Sequence, residues 1–356
     1  MHQAIEDRVF PGAVLLIQKE RTPLYHRAFG VASLDSKRPV TLATVFDLAS
    51  LTKPLATTLA LLLLVQDGRL ALTQPLSSIL PELAGTAKEK IQIRHLLLHT
   101  SGLPAHRPYY RQIEPESREA RLKQFDGLLA AEPLEYGIGE KTVYSDIGFM
   151  FLRRVVETVT GKRLDRFVAE TVFRPLGISP LFFVDSSPGS SGWHFAATQW
   201  CPWRKCLVEG IVSDENAYAA GGIDGHAGLF GTAGAVGDIL GELLAVYRGM
   251  PNRGVFQQRW VKRFLERDGA SPRVLGFDTP TPGASSSGAH FSEKTVGHLG
   301  YTGTSFWCDL ERGISVILLT NRVHPSTEND RIRLFRPVVH DAAALCLADA
   351  GYWSEF

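Results

Sequence analysis

Apolar positions alternate or run together in short blocks at the two ends of the chain and recur at helical spacing between them. Near the N-terminus, GAVLLIQKE (12–20) and PLYHRAFGVAS (23–33) are rich in β-branched and aromatic residues and are separated by a short polar turn containing Arg21 and Thr22. They are expected to form a hairpin. After PVTLATVFDLAS (39–50) the pattern becomes helical, with leucines on every face through residue 65, which predicts a helix covered on all sides. Gly68 stops it, and a Pro-punctuated connection follows. From IQIRHLLLHTSGLP (91–104) through 146–178 the apolar residues recur mostly at helical spacing, and Gly161 and Gly177 are expected to end two segments. SSPGSSG (186–192) and TPTPGASSSGA (279–289) are expected to be surface loops. VGHLGYTGTSFWCDL (296–310) and GISVILLTNR (313–322) are strand-like runs joined at the turn ERG, and a mostly helical tail begins near 330.

Both ends therefore contribute to one sheet, with a helical insertion between them. The expected architecture is α/β (α+β): an antiparallel sheet flanked by helices, built from residues 1–60 and 230–356, plus a mainly helical lobe over 61–229, with a cleft where they meet.

Composition narrows the function. The chain has 356 residues, 44% of them hydrophobic and 21% charged, which is ordinary for a folded domain. With 38 Lys and Arg against 37 Asp and Glu, its net charge of +1 provides no field to gather nucleic acid or an anionic membrane. A small-molecule or peptide partner is expected. The most apolar run, LATTLALLLLVQ (55–66), falls short of the roughly 20 residues that span a bilayer and is expected to be a buried core helix. The opening residues show no basic region, long apolar stretch and cleavage site in succession. This favours the cytoplasm; a periplasmic or secreted location would follow if a leader had been removed.

Cys201, Cys206, Cys308 and Cys346 are too few for a disulfide framework. The first two, with His194 and His226 nearby, match no common zinc spacing, so buried free thiols are expected. His95 and His99 stand at i and i+4 with His106 beyond, but no carboxylate pattern accompanies them. No metal or cofactor is expected. Trp193, Trp200 and Trp203 are either a stacking wall or core.

The chemistry lies elsewhere. In FDLASLTKPLATT (46–58), Ser50 and Lys53 are three apart and share a helix face. A hydroxyl needs a neighbour to take its proton, which an amine can do, and a helix N-terminus favours the developing negative charge. Taken alone, the pair is common enough to be only a helix start with an exposed lysine. Two further pieces follow in order. TVYSDIGF supplies Tyr144, Ser145 and Asp146, and VGHLGYTGTS supplies His298, Leu299 and Gly300 on a strand. A phenol beside an ammonium has its charged form favoured, so Tyr144 suits a base toward Ser50 and later an acid toward the leaving group. The Gly300 strand allows a substrate to lie alongside, and the N–H groups of Tyr301 and Ser50 could form an oxyanion hole.

This trio resembles the serine penicillin-recognising enzymes, the superfamily of class C β-lactamases, D-Ala-D-Ala peptidases and related esterases. PGAVLLI, IRHLLLHTSGLP, FRPLGI and LTNR look like stretches of the same superfamily, so the likeness covers most of the chain. It implies that Ser50 is the nucleophile, that Lys53 and Tyr144 move protons, and that Asp146, His298, Gly300, Tyr301 and His226 contact substrate. Glu215 and Asn216 are placed beside the cleft by the same likeness. From the residues alone, Asp214 and Asn216 make turns and His226 sits in a glycine-rich loop.

Three departures bear on substrate. His298 and Leu299 stand where the related enzymes carry Lys-Thr, so a mostly neutral imidazole and an aliphatic chain replace two groups that hold a substrate carboxylate. Asp146 replaces an amide and can only accept, which suits it to pair with Lys53. The expected function is a serine hydrolase acting on an ester, amide or D-amino-acyl peptide bond, of the esterase, D-aminopeptidase or carboxypeptidase type, with cell-wall-derived peptides as candidate substrates. The alternatives are a sensor domain that acylates without turnover and a weak β-lactamase.

Overall fold

Strand β1 (Gly12–Lys19) is apolar through Ile17 because the sheet it belongs to is covered on both faces. The computed structural model describes residues 1–114, 117–185, 192–267 and 271–353. In it β1 pairs with β2 (Thr22–Gly30) as the expected hairpin, with a bulge at Ile17/Gln18, and the other edge of β1 is taken by a strand from the far end of the chain. The remaining strands in chain order are β3 (Phe46–Asp47), β4 (Leu181–Phe183), β5 (Trp200–Cys201), β6 (Cys206–Leu207), β7 (Leu229–Gly231), β8 (Thr295–Leu299), β9 (Ser305–Asp309) and β10 (Ile314–Thr320). The main sheet is antiparallel in the order β2-β1-β10-β9-β8, and β3-β7-β4 and β5-β6 make two small sheets.

Side chains alternate across the main sheet between two cores. Val14, Leu16, Ile317 and Leu319 join the larger core, to which helix Ala233–Tyr247 contributes Val236, Ile239, Leu240 and Leu243. Ala13, Leu15, Ile17, Val316 and Leu318 face the other, closed by Val339, Ala343, Ala344 and Leu347 of helix Ile332–Asp349. Helix Ala233–Tyr247 approaches closely because Gly237 leaves room: a Cβ there would stand 2.6 Å from Leu16 Cδ2 and 2.5 Å from Gln18 Oε1.

The single strand expected at 296–310 is two. It breaks into β8 and β9 because residues 300–304 turn back, with Gly303 at φ +107° and the Gly300 N–H donating to the Thr304 carbonyl at 2.7 Å. The predicted core helix is present, although its first turns are irregular: a 3-10 turn at Ala49–Leu51, a π-helical stretch at Lys53–Thr58, then α-helix at Leu59–Gln66. Residues Leu51–Val65 are all buried, so this apolar segment is a core helix. Gly161, at φ +68°, ends helix Asp146–Thr160 as expected. Of the loop expected at 186–192, residues 186–191 lie outside the described residues.

Candidate active site

Ser50 is presented by a sharp change of direction. β3 ends at Asp47, Ala49 adopts φ +48°, and the 3-10 turn that follows carries Ser50 to the floor of a cleft of about 680 Å³. Two bonds stabilise this turn from below: the buried Asp47 carboxylate accepts from the N–H groups of Ala49 (2.8 Å) and Ser213 (2.6 Å). Burial raises the Asp47 pKa to about 6 despite these bonds. The β8–β9 turn grips the segment from above, where the Thr302 hydroxyl donates to the Asp47 carbonyl at 2.8 Å and the Thr304 hydroxyl to the Leu48 carbonyl at 3.1 Å. Gly300 is required for that fit, since a Cβ would lie 2.0 Å from Thr304 Oγ1.

Lys53 lies beneath the cleft floor, fully buried; its ammonium donates to Ser50 Oγ at 2.9 Å and the His226 carbonyl at 3.1 Å, and forms an ion pair with Asp146 Oδ1 at 2.7 Å. Burial works to lower its pKa, but the Asp146 carboxylate and Tyr144 outweigh burial and the net direction is upward. For Asp146 burial works upward, and Lys53, His106 and His226 overcome it to hold the carboxyl well below its usual range. The resting pair is therefore ammonium and carboxylate, as the acceptor-only chemistry of Asp146 implied.

Tyr144 completes the group. Lys53 Nζ stands 4.9 Å from its ring centre, His99 packs against the ring at 4.7 Å between centres, and His298 approaches at 5.9 Å. Burial raises the phenol pKa and outweighs the opposing pull of Lys53, so the resting phenol is neutral. The expectation that the ammonium would prevail is corrected here: the low-dielectric surroundings penalise the phenolate more than Lys53 stabilises it.

His298 is neutral. Burial first, then the Lys53 ammonium, lower its pKa to about 3, and its Nδ1 donates to the Leu299 carbonyl at 2.9 Å. His226 behaves in the opposite way. It is buried, yet Asp214 at 2.9 Å from Nε2 and Asp224 at 3.6 Å from Nδ1 overcome the burial term and raise its pKa to about 10. This imidazolium binds a proton in the folded chain that the unfolded chain releases above pH ~6.5. Its contribution to stability is therefore full below pH ~6.5 and is lost as the pH rises toward about 10. The urea midpoint of the native protein is expected to fall between pH 6.5 and 9.5, and to fall less in His226→Gln. Equal slopes would show that His226 does not carry the proton.

Ser50, Tyr144, Asp146, His226, His298, Gly300 and Tyr301 all line the cleft, with Lys53 directly below. Glu215 also lines it, whereas Asn216 is structural, accepting from the Tyr110 N–H at 3.0 Å and donating to the Arg107 carbonyl at 2.8 Å. The three tryptophans are not core: Trp200 is 55% exposed at the cleft rim, Trp193 stacks on Phe182, and Trp203 meets Tyr110 and Tyr218 edge-on. Cys201 is a buried free thiol as expected, but its neighbour Cys206 is only half-buried in β6, a departure from that expectation; Cys308 is buried and Cys346 is exposed on the last helix.

Several contributors were not picked out from sequence. His99 backs Tyr144 and its Nδ1 accepts the Ser145 N–H at 3.0 Å, which orients the Tyr144–Asp146 segment. His106 Nδ1 stands 3.7 Å from Asp146 Oδ2, and Asp214 and Asp224 flank His226. The first two stood in a histidine-rich stretch weighed only for metal. The aspartates stood within a few residues of His226 and signalled only turns.

The model of the Beta-lactamase family matches residues 1–338. A protein of Escherichia coli (strain K12) named "Putative D-alanyl-D-alanine carboxypeptidase" is 32% identical over 347 residues, covering 88% of this chain and 79% of that protein. The "N-acetylmuramyl-L-alanine amidase" of Bacillus subtilis (strain 168) is 33% identical over 352 residues, covering 88% and 78%. Among solved structures, EstCE1, a hydrolase with promiscuous acyltransferase activity, superposes with a TM-score of 0.74 at 25% identity and covers 95% of both chains.

Proposed function

The chain belongs to the β-lactamase family of hydrolases, and from that premise we propose that it is a serine hydrolase that works through an acyl-enzyme on ester or amide bonds, with Ser50 as nucleophile. The observation that carries this reading is the Lys53 ammonium held between Ser50 Oγ, Asp146 and the His226 carbonyl, with the Tyr144 phenol against it. Tyr144 acts as base from its phenolate form, a minor state at rest, and Lys53 is the charge that makes this state accessible. As Ser50 Oγ attacks the carbonyl carbon, its proton passes to Tyr144, which then delivers it to the departing alkoxide or amine. The N–H groups of Ser50 and Tyr301 receive the oxyanion. Water, deprotonated by the same phenolate, releases the acyl group.

The names of the Escherichia coli and Bacillus subtilis relatives support a cell-wall-derived peptide or amide as substrate, and the EstCE1 likeness supports ester cleavage. A β-lactam is a poor fit. A neutral His298 and the aliphatic Leu299 make no charge-assisted bond to its carboxylate, and two such bonds are worth about 1.5–3 kcal/mol each. Nitrocefin is therefore expected to be turned over slowly, while p-nitrophenyl butyrate, which has no carboxylate to hold, is cleaved steadily. Rapid nitrocefin turnover would refute this.

Intact-protein mass spectrometry after a fluorophosphonate and, separately, a penicillin tests the reading, with Ser50→Ala as control. Labelling by the fluorophosphonate, absent in the control, supports a hydrolase with Ser50 as nucleophile. A penicillin adduct that persists without steady ester turnover favours a sensor, and labelling by neither reagent removes the catalytic reading.

A further inference from the structure

The cleft carries uncompensated positive charge at one end. Arg322, Arg333 and Arg336 line it beside Tyr301, where helix Ile332–Asp349 begins. Among the described residues none of the three forms an ion pair with a carboxylate. Arg322 is held by backbone: its Nε donates to the Tyr301 carbonyl at 2.9 Å and its Nη1 to those of Thr327 (3.1 Å) and Asn329 (2.7 Å). Arg336 is 5% exposed; its Nη2 donates to the carbonyls of Gly300 (3.1 Å) and Thr304 (2.9 Å), and its Nε is buried without a partner. Arg333 is exposed at the mouth. Burial, then Arg322 and Arg333, lower the Arg336 pKa to about 9, and the charge of Asp330 acts on Arg322 without forming an ion pair with it. Buried guanidinium groups ordinarily have carboxylate or phosphate partners, and the positive end of an 18-residue helix adds to the same field. Asp146, Asp214, Glu215 and Asp278 also line the cleft, but Asp146 pairs with Lys53, Asp214 with His226 and Asp278 with Arg273, so among the described residues none of these carboxylates neutralises the three arginines.

We infer that the Arg322, Arg333 and Arg336 end of the cleft is a subsite for a substrate carboxylate, set apart from the β8 position where His298 and Leu299 have lost that role. The inference rests on the hydrolase reading for what occupies the cleft: a peptide or ester whose carboxylate lies beyond the scissile bond. Arg333 contacts the carboxylate, and Arg322 and Arg336 supply the field while tying the subsite to Gly300 and Tyr301.

Two ester pairs test it: p-nitrophenyl butyrate against mono-p-nitrophenyl glutarate, which place or omit a carboxylate on the acyl side, and phenyl butyrate against 3-carboxyphenyl butyrate, which do so on the leaving-group side. In at least one pair the native protein should favour the anionic ester by about tenfold in kcat/KM, as one partly exposed charge-assisted contact predicts. The preference should fall to about one in Arg333→Ala and persist in Arg331→Ala, whose guanidinium bonds the Asp7 carbonyl. A preference that is missing from both pairs, or that survives in Arg333→Ala, overturns the subsite while leaving the hydrolase reading intact. If no ester is cleaved, that reading fails and the subsite is still decided by binding: glutarate should raise the melting temperature of the native protein and not that of Arg333→Ala, with glutaramide inert toward both. No stabilisation by glutarate overturns it.

Discussion

Ser50→Ala is expected to lower kcat/KM for p-nitrophenyl esters by about 10⁴-fold or more while the fold is retained. Knocking out a serine nucleophile removes the covalent route altogether, and what remains is the modest acceleration available from binding and oxyanion donors. Structurally the change is small. Lys53 Nζ loses its hydrogen bond to Ser50 and keeps the His226 carbonyl and the Asp146 ion pair, a cost of about 1 kcal/mol. Urea denaturation and the near-ultraviolet circular dichroism of the variant should therefore stay close to native. A variant that retains more than a few per cent of native activity would mean that the hydroxyl is not the attacking group. The asymmetry between a large kinetic and a small thermodynamic loss is what separates a nucleophile from a buried structural serine.

Lys53→Met inverts that asymmetry in part, because here both losses should be large. The side chain is entirely buried, and removing its charge leaves the Asp146 carboxylate facing an apolar group. Breaking one side of a buried pair costs about 3–5 kcal/mol, and the partial exposure of Asp146 places the expectation near the lower end. Activity should fall by about 10³-fold, since the charge that makes the Tyr144 phenolate accessible has gone. The double variant Lys53→Met with Asp146→Asn separates the two effects. It removes the stranded carboxylate, so much of the lost stability should return, while activity should not. If the double variant is no more stable than Lys53→Met, the Lys53–Asp146 pair is not the source of the cost. If activity returns with stability, the lysine is only a packing element.

Much of this arrangement was readable in the sequence because it is local or carried by short motifs. The β1–β2 hairpin needed only two β-rich runs and a polar turn, and the core helix needed only leucines on every face. The Ser50–Lys53 spacing puts the two groups within reach of each other, the Tyr144 and His298 motifs single the pair out, and Asp146 declared its partner by being unable to donate. What could not be read depends on distant residues converging. The protonation of Tyr144 is decided by the burial supplied by the surrounding fold, including the His99 ring 45 positions earlier in the chain, and not by its nearest charge alone. His226 holds its proton at neutral pH only because Asp214 and Asp224 bracket it in space. The break in the 296–310 run follows from a turn whose threonines reach back to residues 47 and 48, a long-range requirement that leaves no periodic trace. The arginine end of the cleft combines β10's exit with the first turns of the final helix, and no motif joins them.

The pairing of β1 with β10 has a consequence for how the protein is made. The Gly12 N–H donates to the Asn321 side chain across 309 positions of sequence, and the intervening chain must be synthesised before β1 can gain its second neighbour. At a ribosomal rate of about 5–20 residues per second that delay is roughly 15–60 s. Throughout it, the apolar edge formed by Gly12–Lys19 is an unpaired template for another nascent chain. Contacts of such long range also slow folding, because the loop they close must be ordered before they reward it. The protein's vulnerability to self-association is thus concentrated in the interval before its last strand emerges, and it ends when β10 fills the centre of the sheet.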